Sequence, residues 1–449
     1  MADQPLIEHP PVPQTPRPVR ATPRSTPRFV PEVVPAERKR GFLATLDGYL
    51  MIVVGVLLAI GLMMVYSTTF DWSYQSFGSE STIFMQQVRN MGVGLVIAAL
   101  LALIDYRIWR RLAVIILLAT IGSLIAVLIF GDDVFNARRA LINGSFQPGE
   151  LAELTIVIYM AAWLSSRRTQ IRSITYGLIP FAVLVSIVAV LVLAQPDIST
   201  AATIVVVAGI MFFLAGADLI QIGVGATIVA VIGILWLTSV GPDYAQGRID
   251  SFVASVSDLT QADDHVQQAI IAFNNGGLTG VGLGQGKQKF ANLPAPHTDS
   301  IFAVIGEELG LLGAALVVSL YIALVIRGLQ IARRSIDNFG ALLAAGMTIW
   351  IALKALLNIA VMTALVPPTG ASLPFISFGG SSLVVVMAGV GLLLSIHRGR
   401  VLQGSAKRTA APTDRRGFVA NHDRLRGHRR TRISSAGDSG SHDQPATGG

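Results

Sequence analysis

The chain has 449 residues, of which 52% are hydrophobic and only 14% are charged, and its mean hydropathy is +0.61. Soluble chains carry roughly 25% charged residues, so this composition excludes an ordinary soluble enzyme and indicates a membrane protein. The 34 Lys and Arg against 27 Asp and Glu give a net charge of +7, and both ends of the chain are basic. Cysteine is absent from the sequence, which excludes disulfides, thiol nucleophiles and cysteine-ligated metal sites.

The two ends differ in composition from the middle of the chain. Residues 1–45 are rich in Pro and Arg, and residues 401–449 are rich in Gly, Ser, Arg and Asp. Such segments bury too little apolar surface to offset the entropy of ordering, so both are predicted to be disordered tails. The first tail also lacks the order of regions that marks a signal peptide. Residues 46–400 form the predicted membrane domain.

Ten apolar segments between the tails are long enough to cross a bilayer, which takes about 20 residues per helix. We therefore predict an all-α integral membrane protein with ten transmembrane helices. The predicted spans are residues 48–67, 88–104, 112–130, 150–165, 174–194, 199–216, 219–240, 300–326, 339–365 and 379–397.

Arg residues in the short loops give the predicted orientation, because cytoplasmic loops hold an excess of Lys and Arg. Basic clusters follow the second, fourth, eighth and tenth spans, so both termini are predicted to be cytoplasmic. The connection between spans seven and eight, residues 241–299, lies on the outer side and is far longer than a helix hairpin needs. Long loops are usually functional or disordered. This one is predicted to be an outward-facing working surface.

The sequence His297-Thr298-Asp299 ends the outer loop, where the eighth span begins. In one interpretation Thr298 or Asp299 caps the helix and satisfies its free N–H groups. In the other, Asp299 is a general base that takes a proton from a substrate hydroxyl within hydrogen-bond reach. The two roles are not exclusive.

Acidic side chains also lie within the eighth span. Glu307 shares a helical face with Asp299 in the predicted helix and lies roughly 12 Å below it. Carboxylates at that depth are costly unless they face a cavity or a partner, so Glu307 and Glu308 are functional candidates. An interhelical hydrogen-bond clamp is the structural alternative. Lys354 and Asn358 lie one turn apart in the ninth span.

The segment PPTGASLPFISFGGSS, residues 367–382, joins the last two spans and is interrupted by Pro and Gly. Irregular backbone at membrane depth survives only when it is buried in protein or lines a watery cavity. Its N–H groups and hydroxyls could hold a phosphate. A plain re-entrant turn is the alternative.

Together with LPAPHTDSIFAVIGEELG at 293–310, this segment resembles the SEDS family of bacterial cell-wall proteins. The resemblance covers residues 45–400, with supporting matches at 61–67, 136–139, 147–150, 195–197 and 282–289. It implies a ten-helix peptidoglycan glycosyltransferase that polymerises lipid II outside the bacterial cytoplasmic membrane during cell division or elongation. It also implies a class B penicillin-binding transpeptidase and other divisome or elongasome membrane proteins as partners, and no nucleic acid. The sequence of residues 373–382 is slightly closer to the division branch of the family than to the rod-shape branch.

The resemblance further implies roles for individual residues. Asp299 matches the family's catalytic aspartate, and a single outer carboxylate is consistent with one-step inversion. Developing pyrophosphate charge needs cations, for which Arg248 is a further candidate. A divalent cation could assist, although no ligand set is recognisable. The predicted substrate-binding residues are Arg138, Arg139, Gln147, Glu150, Asp197, Lys287, Lys289, His297, Thr298, Glu307 and Ser377.

Several residues depart from the family pattern. Gly149 and Glu153 stand where the family usually has Ser and Lys, and Lys354 stands where Gln is more usual. We hypothesise that the basic group has moved to Lys354. Ser300 replaces a usual Phe and Phe378 a usual Tyr, and neither change removes the expected proton acceptor.

Two other functions are consistent with the sequence. A lipid II flippase or other lipid transporter would use Glu307, Glu308, Lys354 and Asn358 along a path open to both faces. A non-catalytic membrane scaffold of the cell-wall machinery is the other alternative. Polar residues concentrate in the outer half of the predicted membrane domain, which favours the enzyme.

Overall fold

The computed structural model describes residues 45–134, 137–140, 147–166, 171–239, 247, 251–253, 263–291 and 293–409. The chain divides into two units, residues 1–41 and residues 42–449. All described residues belong to the second unit, and the predicted tails lie largely outside the described residues.

Helices dominate the described part of the chain. They are α1 (Gly48–Phe77), α2 (Thr82–Leu103), α3 (Arg107–Phe130), α4 (Pro148–Ser166), α5 (Ile179–Leu193), α6 (Ile198–Leu214), α7 (Leu219–Ser239), α8 (Asp264–Gly276), α9 (Gln288–Ala291), α10 (Ile301–Arg333), α11 (Asn338–Met362) and α12 (Gly380–Thr409). A π-helical turn, Ile174–Leu178, leads into α5. A small antiparallel hairpin of β1 (Asp132–Val134) and β2 (Ala137–Ala140) follows α3.

A helix lies at each predicted span, and the helical membrane-protein class is confirmed. Of the described helices, seven are long and apolar enough to cross a membrane, namely α1, α2, α3, α5 with its π turn, α10, α11 and α12. The apolar helix α6 and the apolar part of α7 are shorter. The count of ten spans therefore stays a prediction. The expectation that residues 401–409 lack structure is wrong, because α12 continues to Thr409.

Among the seven long apolar helices, the last two are the most buried. In their most apolar windows 67% of α11 and 72% of α12 are buried, compared with 22% of α2 and 28% of α3. Helix α4 is also mostly buried. The outer helices instead expose large apolar side chains such as Leu118, Ile129 and Val190, and exposed apolar surface of this kind suits contact with lipid. The interior of the bundle is thus built largely from α4, α11 and α12.

Helix α10 is interrupted at Gly310, whose φ of 67° and ψ of −168° are not helical. The loop after α8 fills the break. In an unbroken helix, the carbonyls of Glu307 and Glu308 would accept from N–H groups one turn further along α10. Here these carbonyls accept from N–H groups of the loop. The N–H groups of Leu311 and Leu312, which lose their helical partners, donate to carbonyls of the loop. Because an unpaired backbone group in hydrocarbon costs several kcal/mol, this exchange permits the break. The four bonds are Val281 N to Glu307 O (3.0 Å), Gly282 N to Glu308 O (3.1 Å), Leu311 N to Gly277 O (2.9 Å) and Leu312 N to Leu278 O (3.2 Å).

Glycine is required where the loop meets the helix. A Cβ on Gly310 would lie 2.3 Å from the backbone nitrogen of Gly280, and a Cβ on Gly280 would lie 2.2 Å from the carbonyl oxygen of Glu308. Both glycines also have positive φ. The two backbones therefore approach more closely than any side chain would allow.

We predict that Gly310→Ala destabilises the protein. Its backbone conformation costs a non-glycine residue about 1–3 kcal/mol, and the clash with Gly280 involves backbone that cannot swing away. The measurement is thermal unfolding of the purified protein in detergent. Gly122→Ala is the matched control. Gly122 lies on α3, and a Cβ added there would have no neighbouring atom within 4 Å. Alanine there should stabilise the helix by about 0.5–1 kcal/mol, and equal melting of the two variants would contradict the prediction.

Candidate active site at the outer end of the bundle

Asp299 lies in the turn before α10, partly buried, and not on the helix itself. The helix begins at Ile301 with Ser300 at its N-cap position. The prediction that Asp299 shares a helical face with Glu307 is therefore wrong, because the helix starts too late. Thr298 is not the N-cap residue either, because Ser300 holds that position; the hydroxyl of Thr298 donates to Ala295 O at 3.4 Å. The hydroxyl of Ser300 donates to Pro294 O at 2.6 Å.

Three consecutive main-chain carbonyls, those of residues 297–299, accept hydrogen bonds from outside the turn. Two donors belong to the segment between α11 and α12, and the third is on α11. The backbone that carries Asp299 is thus attached to both. The bonds are Phe378 N to His297 O (2.8 Å), Ser377 Oγ to Thr298 O (2.7 Å) and Asn358 Nδ2 to Asp299 O (2.7 Å).

Residues 367–379, the re-entrant segment, form an irregular turn whose middle part is buried. The hydroxyl of Ser377 also accepts from Leu373 N at 2.8 Å, so its hydrogen bonds are used within the protein. A Cβ on Gly370 would lie 3.5 Å from Asp299 Oδ2, which places this turn beside the carboxylate. The arrangement favours the re-entrant-turn alternative, and substrate contact by Ser377 remains a prediction.

An aromatic stack lies next to Asp299. The ring of His297 stacks on that of Trp72, with centroids 4.7 Å apart, and contacts the ring of Phe378 edge-on at 5.9 Å. Burial lowers the pKa of His297 below its usual value of 6.5. Burial thus disfavours the positively charged imidazolium at this position.

Lys354 is buried between two carboxylates of α4. Its ammonium nitrogen lies 2.5 Å from Glu150 Oε2 and 2.8 Å from Glu153 Oε2. The indole nitrogen of Trp350 also donates to Glu153 Oε2, at 2.9 Å. Glu153 and Lys354, two of the positions at which the sequence departs from the expected family pattern, are thus in direct contact. That the basic group has moved to Lys354 stays a hypothesis.

Asp197 is the N-cap residue of α6. Its Oδ1 accepts from Thr200 N at 3.1 Å and from Ser199 Oγ at 3.0 Å, and its Oδ2 accepts from Thr200 Oγ1 at 3.0 Å. A Cβ on Gly149 would lie 3.9 Å from Asp197 Oδ2, so the beginnings of α4 and α6 are adjacent. Gln147 is exposed directly before α4. Gln147 and Asp197 thus form a second polar cluster, separate from that of Lys354, where α4 and α6 begin.

The carboxylates of Glu307 and Glu308 are 1% exposed and bind protein groups. Glu307 receives the backbone N–H groups of Lys287 and Gln288, and Glu308 receives the ammonium of Lys289 at 2.6 Å. This geometry favours the interhelical clamp alternative, because the pair bonds to side chains of other helices as well as to backbone of the outer loop. Further partners of the pair are Ser67 Oγ and Gly284 N for Glu308, and Asn275 Nδ2 for Glu307.

Some of the predicted substrate-binding residues are not placed at this site by the described structure. Arg138 and Arg139 lie on β2, but their side chains are outside the described part, as is Arg248 altogether. The side chain of Lys287 is exposed, and that of Lys289 is buried. In the portion of the chain that is described, no group of three or more His, Asp or Glu residues is placed to hold a metal ion.

Sequence reasoning missed the role of Asn358, which was selected only as part of a transport path. An amide in an apolar helix, one turn from a buried lysine, is a signal that the two residues face the same interior. It also missed the contacts of Trp72 and Ser67. These join α1 to the outer loop and to α10 across more than 200 positions of sequence, and no local pattern predicts such contacts.

The fold and the site together define a multi-pass helical membrane protein with an acidic site at one end of the bundle. A family model described as "Cell cycle protein", which covers FtsW, RodA and SpoVE proteins, matches residues 48–401. The chain belongs to this family, the SEDS family, as its motifs predict.

Relatives in this family are similar over most of their length. A probable peptidoglycan glycosyltransferase FtsW of Trichlorobacter lovleyi is 38% identical over 366 residues, which cover 81% of this chain and 96% of the relative. Stage V sporulation protein E of Bacillus subtilis is 35% identical over 356 residues, covering 78% and 97%. The FtsW names agree with the slight preference for the division branch.

Two solved structures are similar in fold. One was published as "Structural coordination of polymerization and crosslinking by a peptidoglycan synthase complex"; the match has a TM-score of 0.64 and 26% identity and covers 79% of this chain and 98% of that one. The other is the rod shape determining protein RodA of Thermus thermophilus, with a TM-score of 0.59, 26% identity and coverage of 79% and 97%.

We predict that Lys354→Gln destabilises the protein and that adding Glu153→Lys restores stability. Removing Lys354 leaves Glu150 and Glu153 buried without a cation, which typically costs about 3–5 kcal/mol. The double variant returns a lysine to α4, one turn from Glu150, where it can pair again. Thermal unfolding of both variants in detergent checks this. A double variant no more stable than Lys354→Gln would contradict it.

A second prediction concerns Lys289 and Glu308. Lys289→Met should leave Glu308 as an unpaired buried charge and cost about 3–5 kcal/mol. Glu308→Gln in addition removes that charge, so the double variant should be more stable than Lys289→Met alone. Unfolding by heat, with limited proteolysis of the outer loop, measures both effects. The exposed neighbour Lys287→Met serves as the control and should change little.

Proposed function

We propose that this chain is a division-type peptidoglycan glycosyltransferase that polymerises lipid II at the outer face of the cytoplasmic membrane, with Asp299 as the general base. The observation that carries the proposal is the position of Asp299 in a turn at the end of the bundle that is held by hydrogen bonds to Asn358 and Ser377, within the region that matches the family model. The relatives named peptidoglycan glycosyltransferase support the reaction class.

In the proposed reaction, a sugar hydroxyl of one lipid-linked disaccharide attacks the anomeric carbon of another. The bond from that carbon to the pyrophosphate oxygen breaks, and undecaprenyl pyrophosphate leaves. Asp299 takes the hydroxyl proton, which raises the nucleophilicity of the attacking oxygen. A single carboxylate in this role agrees with inversion at the anomeric carbon.

Cations would stabilise the negative charge that develops on the leaving pyrophosphate. Lys287, whose side chain is exposed, is the proposed contact among the described residues. Arg138 and Arg139 are proposed on sequence grounds. Lys289 is a weaker candidate, because it is buried and already paired with Glu308.

A lipid transporter is less well supported. Its proposed path would use Glu307, Glu308 and Lys354, and each of these is buried and bonded to protein groups. Moving a substrate past them would break ion pairs whose remaining members would be left charged in the interior. These buried side chains therefore support a structural role in the protein around Asp299, and not a path along which a lipid moves.

We further propose that the chain works with a class B penicillin-binding transpeptidase and has both termini in the cytoplasm. The similar structure described as a peptidoglycan synthase complex supports a partner of this kind. The Arg residues of the loops support the orientation. A fluorescent fusion that locates at midcell would support a division role, whereas sidewall labelling would contradict it.

We predict that Asp299→Ala abolishes glycan synthesis. Removing a general base typically costs 10²- to 10⁴-fold in rate, and the smaller side chain should leave the fold intact. The assay is polymerisation of fluorescent lipid II by the purified protein with its transpeptidase partner. Glu80→Gln is the matched control, because it removes an exposed carboxylate from the short loop between α1 and α2. Equal polymer from Asp299→Ala and wild type would eliminate the proposal.

A further inference from the structure

Asn358 lies on α11 directly behind the turn that carries Asp299, and its side chain is 1% exposed. Its amide nitrogen donates to two main-chain carbonyls, Asp299 O and Ala371 O, each at 2.7 Å. Two carbonyl acceptors require the NH₂ end of the amide at this position, so chemistry fixes the side chain's orientation. Asn358 therefore joins the turn before α10 to the re-entrant segment.

The other end of the same amide is unsatisfied. Asn358 Oδ1 is buried and has no hydrogen-bond partner within the described part of the chain. Leaving a buried acceptor unpaired costs about 1–3 kcal/mol. An apolar side chain would avoid this cost, so packing alone does not account for an asparagine here. Its two N–H donors account for it.

Because each peptide unit is planar, a hydrogen bond to a carbonyl fixes the orientation of the whole unit. The carbonyls of residues 297, 298 and 299 are each held, by Phe378 N, Ser377 Oγ and Asn358 Nδ2. Three successive peptide planes determine φ and ψ at the two residues between them, Thr298 and Asp299. They thereby determine the direction in which the Asp299 side chain leaves the backbone.

We infer that Asn358 and Ser377 are positioning residues that aim the Asp299 carboxylate at the substrate hydroxyl. This inference rests on the proposed function of Asp299. Both residues are buried, Asn358 at 1% and Ser377 at 5% exposed, and each donates to a main-chain carbonyl of the turn, so in this inference they act through the turn. A base misplaced by about 1 Å can lose 10²-fold in rate. Loss of either side chain should therefore lower kcat and leave KM for lipid II nearly unchanged.

The test compares Asn358→Leu and Ser377→Ala with wild type in steady-state polymerisation of fluorescent lipid II. Each should lower kcat about 10- to 100-fold with KM within about twofold. Thr348→Val is the matched control, since it removes a buried hydroxyl of α11 whose bond among the described residues is to Ala344 O of the same helix. Its kcat should stay at the wild-type value. Thermal unfolding of each variant measures the folded fraction to which the rates are normalised.

The outcomes separate this inference from the proposed function. Should Asp299→Ala polymerise as wild type does, the proposed function fails and takes the inference with it. With Asp299→Ala inactive, wild-type kcat in both Asn358→Leu and Ser377→Ala would overturn the positioning role alone. A change confined to melting temperature, with normal kcat per folded molecule, would also overturn it. If Asn358→Leu does not fold, Ser377→Ala decides by the same kcat criterion.

Discussion

A polar group carried into hydrocarbon must find its partner inside the protein, and this constraint explains most of the polar architecture here. Lys354 meets Glu150 and Glu153, and Lys289 meets Glu308. The interrupted helix α10 is completed by backbone from the outer loop. Each of these pairings also fixes the position of one helix or loop relative to another, because paired groups cannot move independently without leaving a charge or an N–H group unpaired.

The outer loop and the acidic site are connected through α10. Loop residues 277–290 bind the carboxylates and carbonyls of Glu307 and Glu308, and Asp299 precedes the same helix. On the other side, α11 and the re-entrant segment hold the turn itself. The turn that carries Asp299 is therefore supported from two directions by elements that are far apart in sequence. Such support suits a base whose rate contribution depends on geometry.

The sequence predicted the helical class well, since a stretch of about 20 apolar residues in a chain with few charges is a strong local signal. It also placed Asp299 where the eighth span begins. It did not predict that α10 would begin only at Ile301 or break at Gly310. The turn before Ile301 is bonded to α11 and the re-entrant segment, and the break is bonded to the outer loop. Hydropathy carries no information about such bonds. The sequence singled out Asn358 and Ser377 but predicted other roles for them. A polar side chain in an apolar segment indicates a functional position, but it does not show which atom that side chain will bond to.

The Lys354 pair has a consequence for how the sequence diverged from its relatives. If an ancestor carried the family's usual Lys on α4 and Gln on α11, two substitutions were needed, and each alone unbalances the interior. Losing the α4 lysine first would leave Glu150 without a cation, and gaining Lys354 first would leave two lysines beside one carboxylate. The two changes are therefore favourable only together. Chimeras that take α4 and α11 from different relatives would mismatch these charges, which makes the two helices a unit of inheritance.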